Sequence, residues 1–158
     1  MACALMCSSI LASAQPKGRS DAVPEQLDGV GVSEKIGVTV PQQLEFTDST
    51  GRKVALGEVL ASKRPVLLTL NYSDCPMLCS LQLNGVMDAV NQLDWQIGHD
   101  FDVVTVSLDP NEVPERAAKT KARYIGQYAK DANGAKRGWS FLVGDEQNIR
   151  ALADAVGF

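Results

Sequence analysis

The sequence predicts an α/β layered domain with a central, mostly parallel sheet flanked by helices. Two long apolar runs, 66–72 and 101–108, are typical of strands that are buried on both faces. Each run is followed by a segment with helical spacing of apolar residues, and a shorter apolar run at 139–143 repeats the pattern. Strands that alternate with helices favour a parallel sheet, because each helix carries the chain back across one face.

The other elements follow from local signals. Before the first long strand we expect a hairpin with arms at 41–46 and 53–56, closed by a Ser-Thr-Gly turn, and a helical turn at 57–61. After that strand, Asp74 is a suitable N-cap, and Pro76 is tolerated in the first turn of the next helix. The remaining predicted elements are a helix at 112–128, a polar loop at 130–137, a strand at 139–143, and a helix at 145–156 closed by Gly157.

Length and charge narrow the class of protein. The 158 residues suffice for about one domain, and 45% hydrophobic with 22% charged residues is a globular composition. The net charge of -4 argues against a nucleic-acid partner, because a phosphate-binding protein needs a basic face. No run approaches the roughly 18 apolar residues of a membrane span.

The first 14 residues are predicted to be an export signal. Residues 1–11 are apolar or small, and Ala12-Ser13-Ala14 matches the A-x-A pattern that signal peptidase recognises. No lysine or arginine precedes the apolar stretch, so a cytosolic tail remains the alternative. Residues 15–29 are polar, contain proline and glycine, and indicate a flexible linker before a domain at 30–158.

Two of the four cysteines, Cys3 and Cys7, lie inside this predicted signal. We interpret them as apolar residues that are removed with it. Lipid attachment at Cys7 is the alternative interpretation, although Met6 stands where a small residue is expected. Cleavage would leave Cys75 and Cys79 as the two cysteines of the mature protein.

Cys75 and Cys79 are the candidate functional pair. They follow a predicted strand at the start of a predicted helix, where residues four apart lie on one face. A helix N-terminus favours the thiolate form, although the neighbouring Asp74 opposes it. Two soft sulfurs bind a soft metal or cycle through a disulfide, and a plain structural disulfide remains an alternative. Two cysteines do not complete a metal site, so a third ligand, normally an imidazole, is required.

Other polar residues near the predicted strand ends have weaker claims. His99, the one histidine of the sequence, precedes the second long strand and therefore lies at the end of the sheet opposite the cysteines. We expect it to be a surface residue. Asp109-Pro110 follows that strand at the same end as the cysteines, where it is a supporting group, part of a docking edge, or simply a turn.

Four segments together resemble the Sco/SenC family, the copper-binding assembly factors of cytochrome c oxidase. They occur in the family's order and span about residues 30–158. The segments are YSDCPMLCS at 72–80, VTVSLDP at 104–110, GWSFLVG at 138–144 and AVGF at 155–158.

The resemblance implies a thioredoxin-like domain at 30–158 that binds copper, as Cu(I) or Cu(II), through two cysteines and one histidine. By position, the thiolate ligands are Cys75 and Cys79. The family's histidine lies in a loop beyond the Val-Gly-Phe motif, so the third ligand is expected beyond Phe158, and the domain is expected to be truncated at its C-terminus. The family also implies a periplasmic location or the outer face of the inner membrane, with possible membrane association of the full-length protein.

Two functions remain open at this point. The first is a metallochaperone that delivers copper to subunit II of cytochrome c oxidase or a similar acceptor. The second is a thiol–disulfide oxidoreductase that acts on the copper-site cysteines of that acceptor. A peroxidase-like enzyme is a third possibility, but it needs a positive charge beside the reactive cysteine, and none is adjacent to Cys75.

Overall fold

A computed structural model describes residues 31–73 and 78–158 of the chain. Residues 32–158 form one unit around a five-stranded sheet. The strands are β1 (Glu45–Asp48), β2 (Lys53–Ala55), β3 (Val66–Asn71), β4 (Asp102–Ser107) and β5 (Trp139–Val143). The helices are α1 (Leu56–Val59), α2 (Leu78–Gln92), α3 (Pro114–Gln127), α4 (Ala132–Gly138) and α5 (Glu146–Val156). The predicted signal (1–14), the predicted linker (15–29) and the predicted N-cap Asp74 lie outside the described residues.

The sheet has the strand order β2-β1-β5-β4-β3. The long strands β3, β4 and β5 are parallel neighbours, whereas β1 runs antiparallel to both β2 and β5. Every strand except β1 therefore points the same way, and the predicted α/β class with a mostly parallel sheet is confirmed. The described helices are too short or too polar to cross a membrane.

Both faces of the sheet are covered by apolar side chains. On one face, Met87 of α2 and Tyr124 of α3 pack in the same cluster as Trp139 of β5. On the other face, Phe46 and Leu152 belong to a second cluster with residues of β4 and β5. All six residues of β4 are buried, as the continuous apolar run at 101–108 predicts for a central strand.

The hairpin turn and the end of the last helix lie where the sequence predicts, although the first hairpin arm is β1 at 45–48 and not the predicted 41–46. The Asp48 carboxylate accepts the backbone N–H groups of Thr50 and Arg52, at 2.8 and 3.1 Å, and closes the turn between β1 and β2. Gly157 follows α5 with a φ of +83°, the left-handed conformation that favours glycine at a helix end. Its carbonyl accepts the Ser33 N–H at 2.7 Å, so the segment before β1 lies against the end of α5.

The polar loop predicted at 130–137 is wrong, because most of it forms the helix α4. Asp131 caps the helix by accepting the Asn133 N–H at 2.9 Å. A Cβ on Gly138 would lie 2.3 Å from the Gly98 Cα, and a Cβ on Gly134 would lie 3.0 Å from the Ile97 carbonyl oxygen, so glycine lets this helix pack closely against the turn at 97–98. Tertiary packing overrides the poor helix propensity of the two glycines.

Candidate metal centre

The cysteine turn begins at the carboxyl end of β3, beside the end of β4. Asn71 of β3 pairs in register with Ser107 of β4, and the Leu108 N–H donates to the Asn71 carbonyl at 2.7 Å. The chain leaves β3 towards the cysteines and leaves β4 through the Asp109-Pro110 turn. These two segments therefore start side by side, at the edge where parallel sheets carry their sites.

The structure describes one of the two candidate cysteines in part. Cys75 lies outside the described residues, and the backbone of Cys79 lies in the first turn of α2. The second cysteine therefore lies in the helix that follows β3, as the sequence predicts. Among residues 31–73 and 78–158, no three histidine, cysteine, aspartate or glutamate side chains come together as a metal site. The assignment of Cys75 and Cys79 as ligands remains a prediction.

Glu112 is a buried carboxylate at this edge. Its Oε2 accepts the Ser73 backbone N–H at 2.9 Å and the Ser107 hydroxyl at 2.6 Å. The sequence predicts Glu112 in the first turn of a helix. In the structure α3 begins at Pro114, with Val113 at the N-cap position, so Glu112 precedes the helix. A proline at the first helical position marks this later start and was the sequence signal that Glu112 precedes the helix.

Ser73, the last described residue before the cysteines, is held from a second side. Its hydroxyl accepts a hydrogen bond from Thr120 of α3 at 3.0 Å. These two contacts of Ser73 come from the segment that follows β4. Sequence reasoning missed Glu112 and Thr120 as supporting residues, because their link to Ser73 spans 39 and 47 positions of the chain.

Asn71 is also polar and buried, and only 4% of its surface is exposed. Within the part of the chain that the structure describes, its Nδ2 has no hydrogen-bond acceptor. Two residues earlier on each strand, Thr69 and Thr105 do have hydrogen-bond partners. Their hydroxyl oxygens lie 2.8 Å apart, and the Trp139 indole N–H donates to Thr105 at 3.0 Å. A buried amide without an acceptor lowers the free energy of unfolding, so Asn71 is unfavourable for stability at this position next to the cysteine turn.

Asp109 and His99 lie where the sequence places them. The Asp109 carboxylate accepts the Asn111 N–H at 2.9 Å, and its carbonyl accepts the Glu112 N–H at 3.1 Å, so the residue forms a turn. His99 precedes β4, its side chain is 83% exposed, and its Nδ1 lies 3.1 Å from the Asp100 carboxylate. Since β3 and β4 are parallel, His99 is at the opposite end of the sheet from the cysteine turn.

Asp145 supplies a further negative charge at the same edge, after β5. A cavity of about 370 Å³ lies there, and Lys53, Glu112 and Asp145 contribute to its wall. Hydrogen bonds from the backbone and side chain of Asn148 lower the pKa of the Asp145 carboxyl below its ordinary value. The carboxylate caps α5 through the Asn148 N–H at 2.8 Å.

Comparison with known proteins gives a family and a fold. The sequence model of the SCO1/SenC family matches residues 35–157. A putative electron transfer protein from Aquifex aeolicus VF5 is similar in structure, with a TM-score of 0.61 and 23% identity over 76% of this chain and 65% of that one. Arabidopsis thaliana ScoI with copper bound gives a TM-score of 0.55 and 16% identity over 75% of this chain and 66% of that one.

Yeast Sco1 with copper bound is also similar, with a TM-score of 0.51 and 15% identity over 72% of this chain and 56% of that one. The chain therefore spans less than two thirds of the length of each of these three structures. Curated protein sequences gave no match. At these identities the structural likeness establishes the thioredoxin-like α/β fold of Sco proteins.

Proposed function

The chain belongs to the SCO1/SenC family, and on that premise we propose that it is a copper-binding metallochaperone with Cys75 and Cys79 as its thiolate ligands. The observation that supports this proposal is the position of Cys79 in the first turn of the helix that follows β3. A cysteine at this junction stands at the edge where α/β sheets carry their sites. The copper-bound Sco structures from Arabidopsis and yeast have the same fold.

The donor set suits copper better than the other common metals. Thiolates are soft ligands and select Cu(I) over magnesium, calcium or manganese. A structural zinc site takes four protein ligands, and the pair provides two. Copper is the cargo in this proposal, so the site must bind the ion and later release it to an acceptor.

The third ligand of the proposed site is an imidazole from elsewhere than His99. His99 is at the far end of the parallel strands and is bonded to Asp100. As the family resemblance implies, we place the third ligand in the loop after the Val-Gly-Phe motif. Added imidazole should then raise the Cu(I) affinity of the 158-residue chain, whereas His99→Ala should leave it unchanged.

The test of the metal site is a competition titration with a Cu(I) chelator. Cys3 and Cys7 are also thiols, so a Cys3→Ser/Cys7→Ser chain serves as the reference and should bind one Cu(I). Adding Cys75→Ser or Cys79→Ser should abolish that binding, because one thiolate is left. Retained stoichiometric copper in either variant contradicts the assignment.

The partner and the location follow from the same proposal. We place the acceptor as subunit II of cytochrome c oxidase, or a similar copper protein, and the chain in the periplasm or on the outer face of the inner membrane. The proposed signal at 1–14 and linker at 15–29 would deliver it there. Processing is tested by the N-terminal sequence of the exported protein, which should begin at Gln15; an intact Met1 on cell-associated protein argues against cleavage.

The second candidate function is thiol–disulfide exchange with the acceptor's cysteines. A helix N-terminus favours the thiolate form of a cysteine there, and this supports both functions. Incubation with a copper-depleted acceptor domain, in its reduced form for one sample and in its oxidised form for another, separates them. A chaperone transfers copper to the reduced acceptor without consuming its own thiols, whereas a reductase converts Cys75 and Cys79 to a disulfide as the acceptor's disulfide becomes two thiols.

A further inference from the structure

Glu112 connects the strand before the cysteines to the segment after β4. We propose that Glu112 is a positioning residue for the cysteine turn, a role that rests on the proposed use of Cys75 and Cys79 as the working pair. The residue acts through Ser73, whose backbone N–H it accepts.

The hydrogen bond between Glu112 and Ser73 lies close to the cysteines along the chain. Ser73 lies two residues before Cys75, and two residues span at most about 7 Å of chain. Holding the Ser73 amide therefore restricts the start of the chain segment that leads to Cys75. A metal site with few ligands depends strongly on such orientation, which comes from groups outside the ligand set.

The hydrogen bonds of Glu112 fit a positioning role better than a role in stabilising the helix α3 that follows it. A residue that only stabilised α3 would bond to the N–H groups of the first helical turn. Glu112 instead directs one oxygen at Ser73 beyond β3 and at Ser107 of β4, at 2.9 and 2.6 Å. Hydrogen bonds to a carboxylate are roughly twice as strong as neutral ones, so the two strand ends are firmly tied.

The burial of Glu112 protects its hydrogen bonds to Ser73 and Ser107 from competition by water. Only 7% of its surface is exposed, so water does not readily replace either donor. The Thr120 hydroxyl holds Ser73 from the neighbouring helix α3 as a second, weaker contact. The turn entrance is therefore fixed by two side chains of the β4–α3 segment.

The test uses the Cys3→Ser/Cys7→Ser chain with three further substitutions. Glu112→Ala removes the acceptor, Glu112→Gln keeps an acceptor oxygen and the shape, and Glu115→Ala is an exposed acid in the same stretch as a control. The readouts are the dithiol–disulfide equilibrium of Cys75 and Cys79 in glutathione buffers, the Cu(I) affinity, and the urea midpoint of unfolding.

We expect Glu112→Ala to shift the dithiol–disulfide equilibrium constant and to lower the Cu(I) affinity by about 10- to 100-fold. Glu112→Gln should stay near the reference, and Glu115→Ala should equal it. An unchanged equilibrium and affinity in Glu112→Ala, with only a lower urea midpoint, would mean a purely structural role and overturn the proposal. Equal shifts in the Gln and Ala variants would overturn it as well, because the charge and not the position would then matter.

Two further outcomes are separable. If Glu112→Ala does not fold, Thr120→Val, which removes the other side-chain contact to Ser73, takes its place and should shift the dithiol–disulfide equilibrium, while no shift would overturn the proposal. If the reference chain binds no Cu(I), the proposed copper function fails, but the dithiol–disulfide equilibrium still decides whether Glu112 positions the pair.

Discussion

The buried carboxylates at the two ends of the parallel pair β3–β4 have different partners. At the amino end, Asp102 is bound by the Arg64 guanidinium at 2.9 Å and by the Ser62 hydroxyl. At the carboxyl end, Glu112 accepts a backbone N–H and a hydroxyl, and the adjacent Asn71 amide has no described acceptor. The carboxylate at the amino end is paired with a cation, whereas within the described residues the carboxylate at the other end has neutral donors and lies near an amide without an acceptor.

This difference separates stability from function along one pair of strands. The Arg64–Asp102 ion pair joins the starts of β3 and β4 at the end away from the proposed site. Polar groups that are imperfectly satisfied are expected where a site needs them, since natural proteins break local rules mainly at functional positions. Variants at the amino end should therefore change stability alone, and variants at the carboxyl end should change the site.

The largest effect on stability is expected at the amino end. Arg64→Ala leaves the Asp102 carboxylate buried without its cation, since Asp102 is 8% exposed and Arg64 36%. We expect a loss of about 2 kcal/mol in the free energy of unfolding, below the range for fully buried pairs because Arg64 is partly solvated. Urea denaturation measures the loss, and the Cu(I) affinity should not change.

A matched control is Arg52→Ala, whose ion pair with Glu58 is exposed. It should cost less than about 1 kcal/mol. A change in Cu(I) affinity in Arg64→Ala would show that the two ends of the strands are coupled. It would contradict the view that the amino end affects stability alone.

A smaller change of opposite sign is expected at the carboxyl end. Asn71→Leu replaces an amide that lacks an acceptor with a side chain of similar size, so the free energy of unfolding should rise by up to about 1 kcal/mol. Asn91→Leu is the control, because its amide donates to the Gln127 carbonyl and accepts the Ala129 N–H. That variant should lose about 1 kcal/mol. A loss in Asn71→Leu would mean that the amide finds an acceptor in the folded protein.

The smallest effect concerns pH and the cap of α5. Hydrogen bonds from Asn148 lower the pKa of Asp145 below its ordinary value of 3.8. A carboxyl with a lowered pKa stabilises the folded state above pH 3.8, and this contribution disappears as the pH falls through the lowered value. Asp145→Asn should flatten the decline of the urea midpoint in that window. Equal declines in Asp145→Asn and the parent chain would refute the cap's role.

Much of the fold was readable from the sequence. The apolar runs predicted β3, β4 and β5, and the helix that ends at Gly157 was predicted from its cap residue. The loop predicted at 130–137 was wrong because α4 depends on close packing of Gly134 and Gly138 against a distant turn, which no local pattern reveals.

The candidate site was readable only in part. The spacing of Cys75 and Cys79 after an apolar run identifies the pair, and the placement of His99 at the far end follows from the parallel sheet. Glu112 was mistaken for a helical residue, since its partner Ser73 lies 39 positions away and only tertiary structure brings the two together. Long-range polar contacts of this kind leave no periodic signal in a sequence.

The central claim is that Cys75 and Cys79 together hold one copper ion. X-ray absorption of the Cu(I)-loaded Cys3→Ser/Cys7→Ser chain counts the sulfur atoms bound to the metal directly. We predict two sulfur ligands per copper in this chain, and no bound copper once Cys79→Ser is added. A spectrum without two sulfur ligands, or one that Cys79→Ser leaves unchanged, would contradict the account.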